Sequence, residues 1–480
     1  MARGRSRSLC VLMLCSALIQ SEQSLLAPNL SSAAAEFGLR GAAKDEKLGG
    51  SLAVALFVAG APAALAIGAA ADQPISRARL LALVLLLGGL GCVGSSLASS
   101  FDQLWYARAM SGVALGGALP VCFSLLGDMY APRERARRSS QIGLAMSIGT
   151  LAGQGFSGCI GPSFGWRAPF VLVGSLMLAM TQLVRSQMFD PPRGGSHGLA
   201  HSPLGRDQCS SATHARRWAG LMRIPSVWLV YLQVRRLEQW GGRGAVGGFE
   251  SCYNHWLLLS WQGIPGCVPW GVISTFLPDF LFADVGFSIH EATFVITAFT
   301  VGGLLGTCAG GHIGQELYNR SAGGPALLMF AAGSLGILPM YILIMHPPSS
   351  AFGCALISAC GGFLATQTGP NIRTVLCNVT QSDQRGLAFA SFALADDLGK
   401  GFGPLAVAFF VRRLGRKLAF AYSILFWFPC ACLCGATALT VGIDEARAKA
   451  RQKLRSDAIV SPDDELDHEE NQRLGSVLQL

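Results

Sequence analysis

"GAAADQPISRAR" at residues 68–79 is a polar turn between two apolar runs, and "GGHIGQELYNR" at residues 310–320 repeats its pattern. Each turn follows the second apolar run of its half of the chain. Each has a glycine, a polar residue four positions later (Asp72 after Gly68, Gln315 after Gly311) and then an arginine. Recurrence of one turn at matching positions indicates that the two halves of the chain are related.

The runs around these turns are long enough to cross a membrane as helices, which takes roughly 20 mostly apolar residues. Charged residues make up only 14% of the chain, against about 25% in soluble proteins. A membrane barrel would instead show alternating segments of about ten residues. We therefore predict an all-α membrane protein with twelve transmembrane helices, at 9–26, 48–71, 80–100, 104–127, 139–165, 168–184, 264–282, 292–314, 322–345, 351–375, 386–411 and 418–443.

Polar stretches divide the chain into four parts. Six runs lie in residues 1–184 and six in residues 263–443, which predicts two pseudo-symmetric six-helix bundles. Between them, residues 185–262 are rich in Ser, Gly, Pro and His, a composition typical of a flexible linker. Residues 444–480 form a charged tail.

Residues 234–262 interrupt what would otherwise be one continuous seventh run. "LVYLQ" ends at Gln233 and "GIPGC" begins after Gln262, so 29 residues intervene (262 − 234 + 1). They begin with Val, whose codons start with GT, and end with Gln, one of whose codons is CAG, which are the ends of an intron. A retained in-frame intron and a genuine insertion are both open at this point.

Lys and Arg are distributed unequally between the two sets of loops. With the N-terminus inside, the inner segments carry 23 of them, not counting residues 234–262, and the outer loops carry eight. This places both termini in the cytoplasm, although four of the outer eight crowd into the last outer loop, "RRLGRK" at 412–417. The net charge of +9 then reflects topology, and nucleic acid is not an expected partner. A signal peptide is the alternative reading of the first run, but no clean small-residue cleavage site follows it.

Several short motifs resemble those of the major facilitator superfamily. "GAAADQPISRAR" is similar to its Gly-x-x-x-Asp-Arg-x-x-Arg loop, with Gln73 in place of the usual Arg. "RAMSGVALGG" (108–117) resembles the fourth-span motif, and "GWRAPF" (165–170) opens the sixth span as it commonly does. Within the superfamily the chain resembles the Spinster-like transporters, on "SEQSLLAPNL" (21–30), "SLLGDMY" (124–130), "QGIPGCVPWG" (262–271), "GQELYNR" (314–320) and "ADDLGKGFGP" (395–404).

The resemblance implies a secondary transporter that works by alternating access and is not an enzyme. Its cargo would be a small amphipathic lipid, such as a lysophospholipid or a sphingolipid, moved with a coupling proton across the plasma membrane or an endolysosomal membrane. No Walker sequence is evident in the chain, and the Gly242-x-Gly244-x-x-Gly247 match to a dinucleotide fingerprint has no preceding strand or βαβ unit, so no cofactor or metal is expected. Two alternatives are open: a transporter of another organic solute, such as a sugar or an organic anion, and a non-transporting membrane sensor.

Ionisable residues inside the runs are few, and each needs a reason because a charge at mid-membrane costs about 2.5–3.5 kcal/mol on insertion scales. Glu22 is the candidate proton-binding carboxylate. Arg108 could pair with Glu22, hold an anionic group of the cargo, or extend to the membrane surface. Gln154, Trp270 and Asn371 are further polar or amphipathic residues expected to line a cavity.

Two charged groups are candidate gating elements. One is a charge cluster at the inner face, formed by Asp72, Arg77, Asp128 and Arg135. The other is Asp396, Asp397 and Lys400 in the eleventh run, where the lysine lies three and four residues from the acids and could neutralise either one. Substrate contact is an equal alternative for this second group.

Overall fold

The computed structural model describes residues 2–72, 75–130, 132–188, 190, 263–379, 385–443, 445–446 and 450, with some side chains inside these ranges left out. The predicted insertion 234–262, nearly all of the linker and most of the tail lie outside the described residues. Within them the chain forms helices and turns and no β-strand, as the sequence predicts.

Twelve long helical segments in the described part of the chain follow the order of the twelve predicted runs. They are α1 (Arg5–Glu36), α2 (Ala42–Gly68), α3 (Arg77–Leu97), α4 (Phe101–Met129), α5 (Pro132–Phe164), α6 (Ala168–Gln187), α7 (Gly263–Val285), α8 (Ile289–Arg320), α9 (Gly324–Met345), α10 (Ala351–Leu376), α11 (Arg385–Leu414) and α12 (Arg416–Thr437).

Ten of the described segments are both long and apolar enough to cross a membrane. The other two, α5 and α11, have 33 and 30 residues. They exceed the length that a crossing needs, but they are more polar, because α5 begins with "PRERARR" and α11 contains "ADDLGK".

Five of the segments are not continuous α-helices. α7 ends in a π-helical stretch at Leu281–Val285, and α12 is divided into Arg416–Ile424 and Trp427–Thr437; the other three are α1, α2 and α10. The first helix of α1, Ala2–Gln23, is followed by a 3₁₀ turn at Ala27–Asn29 and a second helix at Leu30–Glu36. Pro28 lies in that turn and has no N–H to continue a helical ladder. α10 is divided into Ala351–Thr366 and Thr368–Val379, and α2 contains two π-helical stretches.

Corresponding helices in the two halves pack through glycine. A Cβ atom on Gly116 of α4 would lie 2.0 Å from the carbonyl oxygen of Gly60 on α2. In the second half, a Cβ on Gly302 of α8 would lie 2.0 Å from the carbonyl oxygen of Ala359 on α10. Small residues let membrane helices approach this closely, and their use in the same helix pair of each half confirms the pseudo-symmetry.

The halves contact each other mainly along two helix pairs, α5 with α8 and α2 with α11, and also where the turn of α1 meets α7. A Cβ on Gly158 of α5 would meet Thr293 of α8 at 2.0 Å, and a Cβ on Gly50 of α2 would meet Cα of Leu405 of α11 at 2.7 Å. These contacts lie towards the end of the bundle where α1, α7 and α11 finish. We call this the linked end.

Candidate functional site

A buried ion pair between α1 and α4 lies inside the first half. Glu22 is 1% exposed and Arg108 is 3% exposed, and the Arg108 guanidinium donates to the Glu22 carboxylate. The centre of the Phe170 ring on α6 lies 5.6 Å from the guanidinium carbon. The pairing that the sequence suggested for Arg108 is therefore present, and its charged group is buried rather than extended to the membrane surface.

The break in α1 positions Glu22. The first helix of α1 ends at Gln23, one residue after Glu22. Glu22 is 17 residues from Arg5 and 14 from Glu36, or about 25 Å and 21 Å along a helix, so it is near the middle of the segment. Interrupted helices near mid-membrane are where secondary transporters build their substrate and ion sites.

Two further predicted residues are Gln154, which lies where the two halves meet, and Trp270, which lies in a cluster of aromatic rings. Gln154 of α5 is buried, and the Thr300 hydroxyl of α8 donates to its Oε1 at 2.8 Å, across the two halves. Trp270 of α7 is half-buried. Its ring centre lies 5.1 Å from that of Phe299 and 6.2 Å from that of Trp427.

The acidic group of α11 lies at mid-helix and faces α7. Asp396 and Lys400 are residues 12 and 16 of the 30-residue helix. Asp396 lies beside the Cys267 thiol of α7, and a Cβ on Gly263 would lie 2.7 Å from its Oδ1. In the described part of the chain Lys400 forms no ion pair within 4 Å, but it is the main cation that faces both Asp396 and Asp397. Neutralisation of either acid by Lys400 stays a prediction.

The Asn371 side chain is buried in the contact between α10 and α8. It is 3% exposed, and its amide nitrogen donates to the carbonyl oxygens of Gly310 at 3.0 Å and Gln367 at 2.7 Å. These bonds hold α10 against α8 at the point where α10 is divided. Both amide hydrogens are used by the backbone, which leaves them no capacity for a ligand.

A charge cluster joins α3, α4 and the segment after α6. Arg77 is 2% exposed and pairs with Asp128 and Asp190. The Asp190 carboxylate also accepts from the Arg77 backbone N–H at 2.8 Å and from Ser76 Oγ at 2.9 Å. Arg77 and Asp128 were predicted members, whereas Asp190 was not. The side chains of Asp72 and Arg135 lie outside the described residues.

The linked end carries a second charge cluster, which the sequence analysis did not identify. Asp279 of α7 accepts from Lys44 Nζ at 2.6 Å, from Ser31 Oγ at 2.5 Å and from Arg416 of α12 at 2.5 Å. Arg416 Nε also lies 3.0 Å from Asp45 Oδ2 and pairs with Asp284. Lys44, Asp45 and Ser31 belong to the first half and the others to the second, so this cluster links the two halves.

The linked end also accounts for two of the basic residues that, in the orientation expected from the sequence, run against the charge rule. Arg416 is paired with three carboxylates, and Arg412 pairs with Glu46 at the start of α2. The signal in the sequence was the crowding of cations in that loop, together with Asp279 in the seventh run and Asp284 two residues after it. The sequence alone could not show that Arg412 and Arg416 pair with Glu46 and Asp45, because these two acids belong to the other half of the chain.

Comparison with known families agrees with this architecture. The sequence model of the Major Facilitator Superfamily matches residues 12–241 and 264–466, nearly the whole chain. The chain belongs to the major facilitator superfamily. The unmatched residues 242–263 overlap the stretch 234–262 that interrupts the seventh run.

Three relatives illustrate the range of this superfamily. A "Putative metabolite transport protein" of Haemophilus influenzae is 24% identical over 78% of this chain and 82% of its own length. The 4-hydroxybenzoate transporter of Pseudomonas aeruginosa is 26% identical over 52% of this chain and 53% of its own. The crystal structure of a bacterial homologue of the human lysosomal transporter Spinster, inward-facing and unoccupied, has a TM-score of 0.69 at 18% identity, covering 92% of this chain and 98% of that one.

Membership of the major facilitator superfamily makes this chain a multi-pass membrane transporter and not an enzyme. Its fold resembles that of the Spinster homologue. The superfamily assignment also gives the Glu22–Arg108 pair a context, since the fold surrounds a central path between the halves. Within the residues that the structure describes, no group of three or more His, Cys, Asp or Glu side chains could hold a metal ion.

Proposed function

We propose that this protein is a proton-coupled secondary transporter of an amphipathic lipid that bears an anionic head group, such as a lysophospholipid or a phosphorylated sphingoid base. The observation that carries the proposal is the buried Glu22–Arg108 pair beside the break in α1. The Spinster-like motifs of the sequence and the likeness of the fold to a Spinster homologue support this choice of cargo.

The coupling follows from competition for one guanidinium. Arg108 is neutralised by Glu22 in this structure, so an anionic head group can pair with it only when the carboxylate gives way. Protonation of Glu22 removes its negative charge, and Arg108 then needs another anion, because an unpaired buried charge is strongly unfavourable. A proton and an anionic cargo therefore bind in the same step, and return of the empty protein re-forms the pair.

Alternating access follows from the two charge clusters. We propose that the linked end is the outer gate and that the Arg77 cluster lies at the cytoplasmic face, with both termini in the cytoplasm, as the distribution of Lys and Arg favours. The ion pairs among Lys44, Asp279, Asp45 and Arg416 would then hold the outer gate closed. We assign Asp396, Asp397 and Lys400 to the path between the gates, since they lie at mid-helix against α7.

The test is uptake of labelled lysophospholipid into vesicles that contain the purified protein, with and without an imposed pH gradient. We expect the gradient to drive uptake by the wild type and the E22Q variant to lose that dependence. E316Q is the matched control, because Glu316 is exposed and, among the described residues, its ion-pair partner is Arg320 four residues away. The proposal is contradicted if uptake by E22Q still depends on the pH gradient. It is also contradicted if folded wild-type protein shows no gradient-driven uptake.

A second candidate cargo is an aromatic or other organic anion, favoured by the relationship to a 4-hydroxybenzoate transporter and by the same arginine. Benzoate and lysophospholipid can be compared as competitors in the uptake assay. Transport of benzoate itself favours this candidate if benzoate also competes only weakly with the lipid, or if no lipid uptake is detected.

A further inference from the structure

A groove opens on the outer surface of the bundle between α2 and α11, at the linked end. It has a volume of about 430 Å³ and is lined by Glu46 of α2 and by Phe402, Leu405, Ala406, Phe409 and Phe410 of α11. The three phenylalanines are 41%, 56% and 49% exposed. Because Gly50 has no side chain, α2 approaches α11 closely at Leu405. The contact between the two helices closes the bottom of the groove.

The lining residues form one stripe that ends in a cation. Positions 402, 405, 406, 409 and 413 follow the three- and four-residue spacing of a single helix face. The guanidinium carbon of Arg413 lies 5.5 Å from the centre of the Phe409 ring, so the charge is held at the mouth of the groove. Phe402 and Arg413 are 11 residues apart, or about 16 Å along the helix. This matches the roughly 15 Å of hydrocarbon in one leaflet, which is half of the bilayer core.

The charges around the mouth are unbalanced in favour of cations. Glu46 is neutralised by Arg412, and Arg416 is held by the linked-end cluster. Arg413 and Lys417 are exposed, and among the described residues neither takes part in an ion pair. Cations at the membrane surface attract anionic lipid head groups, and a guanidinium can bind a phosphate through two parallel hydrogen bonds.

We propose that this groove is a binding site for a membrane phospholipid with an anionic head group. The phosphate would lie at Arg413 and Lys417, and one acyl chain would run along the stripe towards Phe402. The site accounts for the two cations of the last outer loop that the linked-end cluster leaves unpaired. It is distinct from the path around Glu22 and Arg108, and it holds whatever solute the protein transports.

Native mass spectrometry of the purified protein with added phosphatidylglycerol tests the site, with phosphatidylcholine as competitor. We expect R413Q/K417Q to retain phosphatidylglycerol about 25-fold less, from about fivefold for each surface cation. R40Q is the matched control, because Arg40 is an exposed cation at the same end of the bundle and should leave retention unchanged. Equal retention by R413Q/K417Q and R40Q overturns the proposal.

A photoreactive group on the acyl chain of phosphatidylglycerol locates the chain. Labelling should concentrate on residues 402–410 and should fall in A406W, where a large side chain fills the groove and both cations remain. Labelling spread evenly over other exposed helices would show general bilayer contact only and would refute the site. A dimer that is lost in A406W would show that a second copy occupies the groove, which also refutes it.

Discussion

Neutralising Asp279 should release the linked end. Two of its three hydrogen bonds, from Lys44 and Ser31, cross between the halves, and the third, from Arg416, stays within the second half. Asp279 is 2% exposed and Lys44 is 8% exposed. The D279N substitution keeps the shape of the side chain and removes the charge to which these donors bind.

The size of the effect follows from the two crossing bonds. A hydrogen bond to a charged group contributes about 1.5–3 kcal/mol, and a neutral one about 0.5–1.5 kcal/mol. Loss of charge in two bonds therefore weakens the link by about 2–3 kcal/mol, which is roughly 30- to 150-fold in the ratio of closed to open forms. Added salt should change this ratio little, since buried pairs are poorly screened.

Spin labels at Arg40 and His290, on a background without reactive cysteines, would measure the separation. Both residues are exposed at the linked end, one in each half. We expect a single short distance in the wild type and a second, longer distance in D279N. D284N is the control: it changes the net charge of the cluster equally, but in the part of the chain that the structure describes Asp284 pairs with Arg416 of its own half. The reasoning is refuted by an unchanged distribution in D279N, or by the same shift in D284N.

Three further substitutions test the packing and the central pair. R108A leaves Glu22 buried without a partner and should cost about 3–5 kcal/mol of stability, part of which E22Q/R108A should recover; equal thermal midpoints of the two variants in scanning fluorimetry would contradict this. G116A places a methyl group against the Gly60 carbonyl and should cost about 1–3 kcal/mol, whereas G143A, with open space around it, should melt like the wild type. N371A should lower the melting temperature by removing two bonds to the backbone without raising KM for the cargo, and a raised KM would assign Asn371 to the cargo site.

The fold could be predicted because a bilayer restricts the choices of the chain. Apolar length alone marks the helices, and the paired turns at Asp72 and Gln315 reveal the two halves. The Glu22–Arg108 pair could be predicted for the same reason. Charges inside apolar runs are rare, so each one has few possible partners.

The linked-end cluster could not be predicted in this way. Lys44 and Asp45 are indistinguishable from loop residues in the sequence, and their burial appears only when the start of α2 meets α7 and α12. The acidic group of α11 shows a related limit. The spacing of Lys400 from Asp396 and Asp397 follows from the sequence, but the proximity of Asp396 to Cys267 of α7 does not, because sequence spacing carries no information on which neighbouring helix a side chain faces.

The pairing of Arg412 with Glu46 spans 366 positions of the chain, and this bears on how the protein is made. In the orientation that we propose, with both termini in the cytoplasm, the last hairpin must carry four cations to the outer side, against the charge rule that guides insertion. The acids that receive two of them, Asp45 and Glu46, belong to a helix that the ribosome completes much earlier. The first half is then a template for the last hairpin during biogenesis. If the gene were divided after α6, we expect the second half to insert this hairpin correctly when the first half is made alongside it, and to misplace it when expressed alone.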